Sequence, residues 1–203
     1  ERNRIQLQAN MNRRVAADSP GLVAYYPIAD GAGVNLYDQS SSGHHGTLGG
    51  GQEAQRPLWI EASPVQFEGM KFNGAGDYLS IPSSAALNVC SGFSLSAWVR
   101  PGMFQGLQTV AAKALDARDC QYALSLEGEM LRFDYERAGN NYALVGGQLR
   151  DGWSHVAVTI TPRLVDTPVA RLDADGNPKH RTVTAANGVQ VQCPVVEMQK
   201  LDE

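Results

Sequence analysis

The stretch Phe93–Val99, FSLSAWV, alternates strictly: Phe93, Leu95, Ala97 and Val99 fall on one side of an extended chain, and Ser94, Ser96 and Trp98 on the other. Successive side chains of a strand point to opposite faces, so a period of two with one apolar face marks a half-buried strand. Pro101 and Gly102 end it. Residues 153–160, WSHVAVTI, repeat the pattern, with Val156 and Val158 on one side and His155 opposite them. The two stretches predict strands whose apolar faces, Phe93, Leu95, Ala97, Val99, Val156 and Val158, lie between two packed antiparallel sheets.

Working outward, residues 22–28 (LVAYYPI), 65–72 (VQFEGMKF), 78–81 (YLSI), 109–114, 122–126 (YALSL), 130–135 (MLRFDY), 143–145 and 169–172 read as further short strands. Turn residues separate them: DGAG at 30–33, a polar Ser/Gly/His loop at 38–51, GAGD at 74–77, Glu127-Gly128-Glu129 as a hairpin turn, and DADGN at 173–177. No internal repeat and no long amphipathic helix follow Pro20. Many short strands with close-set turns indicate an antiparallel sandwich or barrel. Residues 1–19 differ. They carry Arg2, Arg4, Arg13 and Arg14 with Ile5, Met11 and Val15 among sparse apolar members, and no Gly or Pro. A helix is permitted there, but its thin apolar stripe needs a partner. The stretch reads as a connecting arm or a disordered leader. The expected organisation is an arm at 1–19 and one sandwich at 20–203.

The bulk numbers agree with a globular, turn-rich chain: 203 residues, 43% hydrophobic, 19% charged, 21 Gly and 10 Pro. A net charge of -4 argues against nucleic acid and anionic membranes as partners. No apolar run approaches the roughly 20 residues that span a bilayer. No basic-then-apolar leader follows Glu1, and the reading takes the chain as trimmed from something longer. Cys90, Cys120 and Cys193 match no zinc or redox spacing and read as small buried hydrophobes, or as one disulfide with a thiol left over.

Five blocks, in order, carry a resemblance: Gly21-Leu22-Val23-Ala24-Tyr25-Tyr26-Pro27 with Gly31-Ala32-Gly33; residues 38–48 (DQSSSGHHGTL); Phe72-Asn73-Gly74 with residues 77–82 (DYLSIP); residues 93–101 (FSLSAWVRP); and residues 153–159 (WSHVAVT). Together they resemble the laminin-G-like jelly rolls of concanavalin A-like fold. The resemblance spans roughly residues 21–176 and implies an all-β antiparallel jelly-roll β-sandwich. It also implies a non-catalytic module that binds a glycan or an extracellular protein, outside the cell, at its surface or in the periplasm. Ser41 and Ser42 depart from the family's Gly and Asn, and the family's closing strand has no counterpart in residues 181–203. The C-terminal strands are therefore expected to be atypical or incomplete. Either residues 189–198 close the sheet beside the first strand, or the open edge at residues 22–28 takes a strand from a neighbouring subunit. Self-assembly into an extracellular filament, sheath or appendage, through that edge and the arm, is the second functional expectation.

The resemblance further implies a structural calcium in the 38–46 loop. Calcium takes hard oxygen ligands from carboxylates and carbonyls on irregular backbone. The candidate ligands are Asp38, Ser42, Gly43 and His45, with Asp77 as a second carboxylate; the alternative is that both aspartates cap their turns through Asx-type hydrogen bonds. Adjacent His44 and His45 do not make a zinc site, since neighbours on an extended chain diverge and a third ligand is lacking. Catalysis is not expected. In Arg132-Phe133-Asp134-Tyr135-Glu136 an arginine stands where glycoside hydrolases of this fold need the first carboxylate of their strand, and no GxSxG, P-loop or HExxH occurs. Tyr135, Asn140, Asn141 and Tyr142, placed around a loop between two strands, are the candidate ligand contacts.

Overall fold

The computed structural model describes residues 2–62, 67–88, 92–114, 120–137, 140–160, 180–184 and 190–194. The chain forms two compact units, residues 3–87 and residues 88–203 with residues 1–2. The two units divide at residues 87 and 88, just after a 3-10 turn at Ala85–Leu87; the boundary expected from the sequence lies at residues 19 and 20, within the first unit's segment.

In the first unit, helix α1 (Arg4–Asn10) stands where the arm was expected. Its N-terminus is a capping box: the Asn3 side chain accepts from Gln6 N–H and the Gln6 side chain accepts from Asn3 N–H, satisfying two otherwise orphaned donors. Strand β1 (Asn35–Leu36) lies between the expected turn at 30–33 and the expected loop at 38–51, and β2 (Gly46–Leu48) lies inside that loop. Strands β3 (Leu58–Ala62) and β4 (Phe67–Lys71) form an antiparallel hairpin, and β5 (Leu79–Ser80) joins β1 and β2 in the order β1-β2-β5. Leu36 and Leu48 anchor this unit, both fully buried. Gly46 is required where β2 meets β5: a Cβ there would come within 2.8 Å of the Ser80 carbonyl oxygen.

Residues 22–28 are not a strand, which corrects the sequence reading. Their backbone groups are taken by the 38–40 turn: Tyr25 N–H donates to the Asp38 carboxylate and Tyr25 C=O accepts from Gln39 N–H. Pro27 has no N–H to offer a ladder, and Ile28, at φ 53°, turns the chain out of extended geometry.

The second unit carries the sandwich. Strand β6 (Phe93–Val99) pairs antiparallel with β11 (Ser154–Ile160), setting Ala97 opposite Val156, Leu95 opposite Val158 and Phe93 opposite Ile160. Strands β7 (Leu107–Ala114), β8 (Cys120–Glu127), β9 (Met130–Arg137) and β10 (Asn140–Gln148) form a four-stranded antiparallel sheet in the order β10-β9-β8-β7. The core between them holds Leu124, Leu126, Phe133, Tyr135, Leu149 and Val156, with Phe93, Leu95, Ala97, Val99 and Val158 packed against it. The face assignment read from the alternation therefore holds. On the opposite face of the β6–β11 pair, Trp98 and His155 are ring neighbours at 5.4 Å, and burial pushes the His155 imidazole below its ordinary pKa. There too, Arg2 N–H donates to Ser94 Oγ at 2.8 Å, and Thr159 Oγ1 donates to Arg2 C=O at 3.0 Å.

Strands β12 (His180–Thr184) and β13 (Gln190–Pro194) pair with each other in a separate hairpin. Of residues 189–198, expected either to close the sheet beside the first strand or to leave that edge to a neighbouring subunit, the described 190–194 pair with their own sequence neighbour β12, and residue 189 lies outside the described residues. Residues 169–177, 195–198 and Cys90 lie outside the described residues.

Candidate functional site

The loop expected to hold calcium is organised around Asp38, which is 4% exposed. Its Oδ1 accepts from Tyr25 N–H (2.9 Å) and Ser40 N–H (2.8 Å); its Oδ2 accepts from the Ser40 hydroxyl (2.8 Å) and His44 N–H (2.8 Å). Four donors fill the carboxylate's roughly four lone-pair sites. Burial pushes this carboxyl up, but the hydrogen bonds from Tyr25, Ser40 and His44 outweigh it and hold the group below the ordinary carboxylate value. The other candidates are used in the same way. His45 Nδ1 accepts from Asp38 N–H at 3.1 Å, Ser42 N–H donates to Ser40 Oγ at 3.2 Å, and Gly43 C=O accepts from His45 N–H at 2.9 Å. Asp77 closes a different turn, accepting from Asn73 N–H at 2.9 Å.

These residues do not fit calcium as they stand. The Asp38 oxygens are saturated by donors, Asp77 serves its own turn, and among the described residues no three His, Cys, Asp or Glu side chains converge. Asp38 makes the Asx-type bond of the alternative reading, to Ser40 N–H, whereas in the second turn the Asx-type acceptor is Asn73, whose Oδ1 takes Ala75 N–H at 2.7 Å while Asp77 closes back onto Asn73 N–H. The melting temperature is accordingly expected to be the same in chelator and in millimolar calcium. A calcium-dependent rise would show a cation displacing the internal donors.

The four ligand candidates, expected around a loop between two strands, lie on strands β9 and β10 themselves. Tyr135 on β9 faces the core, with ring centroids 6.0 Å from Phe93 and 6.3 Å from Phe133. Tyr142 on β10 is its cross-strand partner and shares that face, at the sheet's edge. Asn141 pairs with Glu136 and belongs to the opposite, outer face; Asn140 pairs with Arg137 at the end of the strand. Tyr142 and Asn141 thus address different sides of the sheet, and Tyr135 belongs to the packing.

The outer face of this sheet holds a constellation built on the stretch Arg132-Phe133-Asp134-Tyr135-Glu136. Register places Arg132 beside Ser125 and Val145, Asp134 beside Ala123 and Ala143, and Glu136 beside Asn141. Arg132 grips Asp134 with two bonds, Nε to Oδ2 and Nη2 to Oδ1, both 2.8 Å, and reaches Glu127 Oε2 through Nη1 at 3.0 Å. The hydrogen bond to Asp134 and then that to Glu127 push the guanidinium pKa up, so its charge is permanent. The i, i+2 spacing of Arg132 and Asp134 was a legible signal for half of this network; Glu127 joins only through the hairpin register. The result is a polar band across β8, β9 and β10. Its neighbouring floor is of small side chains, Ala112, Ala123 and Ala143. Such a band offers N–H donors and carboxylate acceptors side by side.

Comparison with known proteins gives one match. A family model described as Laminin_G_3, concanavalin A-like lectin/glucanases superfamily, matches residues 73–191, which is more than half of the chain. The match takes in the whole of β6 to β11, whereas the resembling blocks at residues 21–48 lie outside it. No curated protein and no solved structure matches the chain.

Proposed function

The chain belongs to the concanavalin A-like lectin/glucanase superfamily, and on that premise we propose that it is a non-catalytic extracellular binding module, carried by a larger secreted or surface protein, that recognises a glycan. The observation that carries the reading is the polar band on the outer face of β8, β9 and β10. Arg132, Asp134 and Glu127 form a fixed array of donors and acceptors, with Asn141 and Glu136 next along the face. Paired donors and acceptors suit adjacent sugar hydroxyls, each of which donates and accepts, and the alanine floor leaves room for a ring to approach. A protein surface with polar side chains is the other ligand that the same chemistry accepts.

The same array argues against hydrolysis. Retaining and inverting glycosidases need two carboxyl groups flanking the bond, one of them free to carry a proton. Here Arg132 occupies the first position of the strand triplet and clamps Asp134 with both of its near nitrogens.

A glycan array probed with the chain, beside a screen of extracellular-matrix proteins, tests the proposal. Arg132→Ala and Asp134→Ala are each expected to weaken binding by about ten-fold or more, equivalent to about 1.4 kcal/mol, with the melting curve retained. Binding that is unchanged in both variants would remove the polar band from the site.

A further inference from the structure

We infer that β10 is a self-pairing edge, through which two copies of this chain join antiparallel about a two-fold axis at Leu144. The two edges of the four-stranded sheet are built differently. An open edge presents unpaired N–H and C=O groups, and proteins normally blunt it with charge, bulges or proline. Strand β7 has such protection: it carries Lys113, and its pairing with β8 is broken by irregularities at Thr109/Ala111 and Lys113/Ala114. Strand β10, NNYALVGGQ, has no charged residue and no proline over nine residues. Its register with β9 runs unbroken from Asn140 to Gly146 before an irregularity at Gly146/Gln148.

Among the described residues the edge is also uncovered. Residues 141–148 are all exposed, and the large apolar side chains among them stand well clear of the core: Tyr142 39%, Leu144 56% and Val145 55% exposed. Leu144 and Tyr142 lie on the core-facing side, as cross-strand partners of Phe133 and Tyr135, yet remain in solvent because they sit at the rim.

A second copy fits this edge better than a charged peptide, because there is no charge on β10 to orient one and the strand complements itself. Antiparallel pairing centred on Leu144 sets Leu144 against its own copy. It sets Ala143 against Val145 on the outer face, and Tyr142 against Gly146 on the inner one. A Cβ at Gly146 would meet nothing within 4 Å, so a tyrosine ring from the partner has open space to cover. Aromatic cover of an edge glycine and aliphatic cross-strand pairs are the contacts that stabilise added strands. Each copy uses the edge of this sheet that is unprotected among the described residues, so this pairing ends at a dimer.

Sedimentation of the full chain from low to high micromolar concentration tests the inference. The wild-type chain is expected to dimerise. Leu144→Lys, which sets like charges directly opposite each other, is expected to weaken the dimer by about ten-fold or more, with an unchanged melting curve for the monomer. An equimolar mixture of L144K and L144E is expected to restore dimers that neither forms alone. Amides of residues 142–146 should exchange more slowly as wild-type concentration rises. A wild-type chain that stays monomeric to high micromolar concentration overturns the inference. So does an L144K variant that dimerises like wild type, or a K/E mixture that fails to dimerise. Leu144 lies on the face opposite Arg132 and Asp134, so L144K keeps glycan binding if the ligand proposal holds, and the two readings fail separately.

Discussion

Phe133→Ala is expected to destabilise the sandwich unit by about 3–5 kcal/mol, the usual cost of removing a buried aromatic side chain and leaving a cavity. Phe133 is buried at the centre of the sheet interface. Its ring stacks on Tyr135 and meets Phe93 from β6 at 6.0 Å, so its loss uncouples the four-stranded sheet from the β6–β11 pair. Small domains are stable by only about 5–15 kcal/mol, so this one change removes a large fraction of the total. The exposed Met103→Ala, by contrast, should stay within about 0.5 kcal/mol. Urea denaturation of the three proteins checks both values; a Phe133→Ala loss as small as that of Met103→Ala would mean that the two sheets do not share a core.

In the first unit the corresponding change is Asp38→Ala. It strands the N–H groups of Tyr25, Ser40 and His44, each previously bonded to the carboxylate. An unsatisfied buried donor costs about 1–3 kcal/mol, so a total of about 3 kcal/mol or more is expected. Asp38→Asn keeps one acceptor oxygen and should lose less. The pH dependence has a definite sign. The folded carboxyl titrates below its ordinary value of about 3.9. Its stabilisation is therefore complete above the unfolded value and is lost as pH falls through the folded one. The gap in melting temperature between wild type and Asp38→Asn should narrow in acid. Hydrogen exchange at residues 22–28 should accelerate in Asp38→Ala, because that segment is held by the aspartate and not by a ladder. A gap that widens in acid, or exchange there that is unchanged, would dissociate Asp38 from this role.

The sandwich was legible where local periodicity and burial coincide. Phe93–Val99 and residues 154–160 alternate because one face packs and the other does not, and that pattern needs no knowledge of the partner strand. Residues 22–28 misled for the opposite reason. Their composition suits a strand, but the fate of their backbone is decided by a carboxylate 13 positions away from Tyr25. Local pattern cannot register such a long-range capture. Strands β1 and β2 were missed because two or three residues are too few to show a period; Leu58–Ala62 was missed although Leu58, Trp59 and Ile60 form an apolar run. At the candidate site, Tyr135 and Tyr142 look alike in sequence. Only the sheet order tells that one is roofed by β6 and the other lies at the rim. The Arg132 network was half visible for a related reason: Asp134 is near in sequence, while Glu127 reaches Arg132 across a hairpin whose register the sequence does not state.

A glycan bound, uncleaved, on the outer face of β8, β9 and β10 is the central proposal. The most direct measurement is a titration of the best array ligand into isotope-labelled chain, following backbone amide shifts and the integrity of the ligand together. The expected shifts cluster at Ser125, Arg132, Asp134, Glu136 and Asn141, and the ligand is recovered intact. Shifts confined to the Asp38 loop or to the Trp98–His155 face, or the appearance of hydrolysis products, would contradict it.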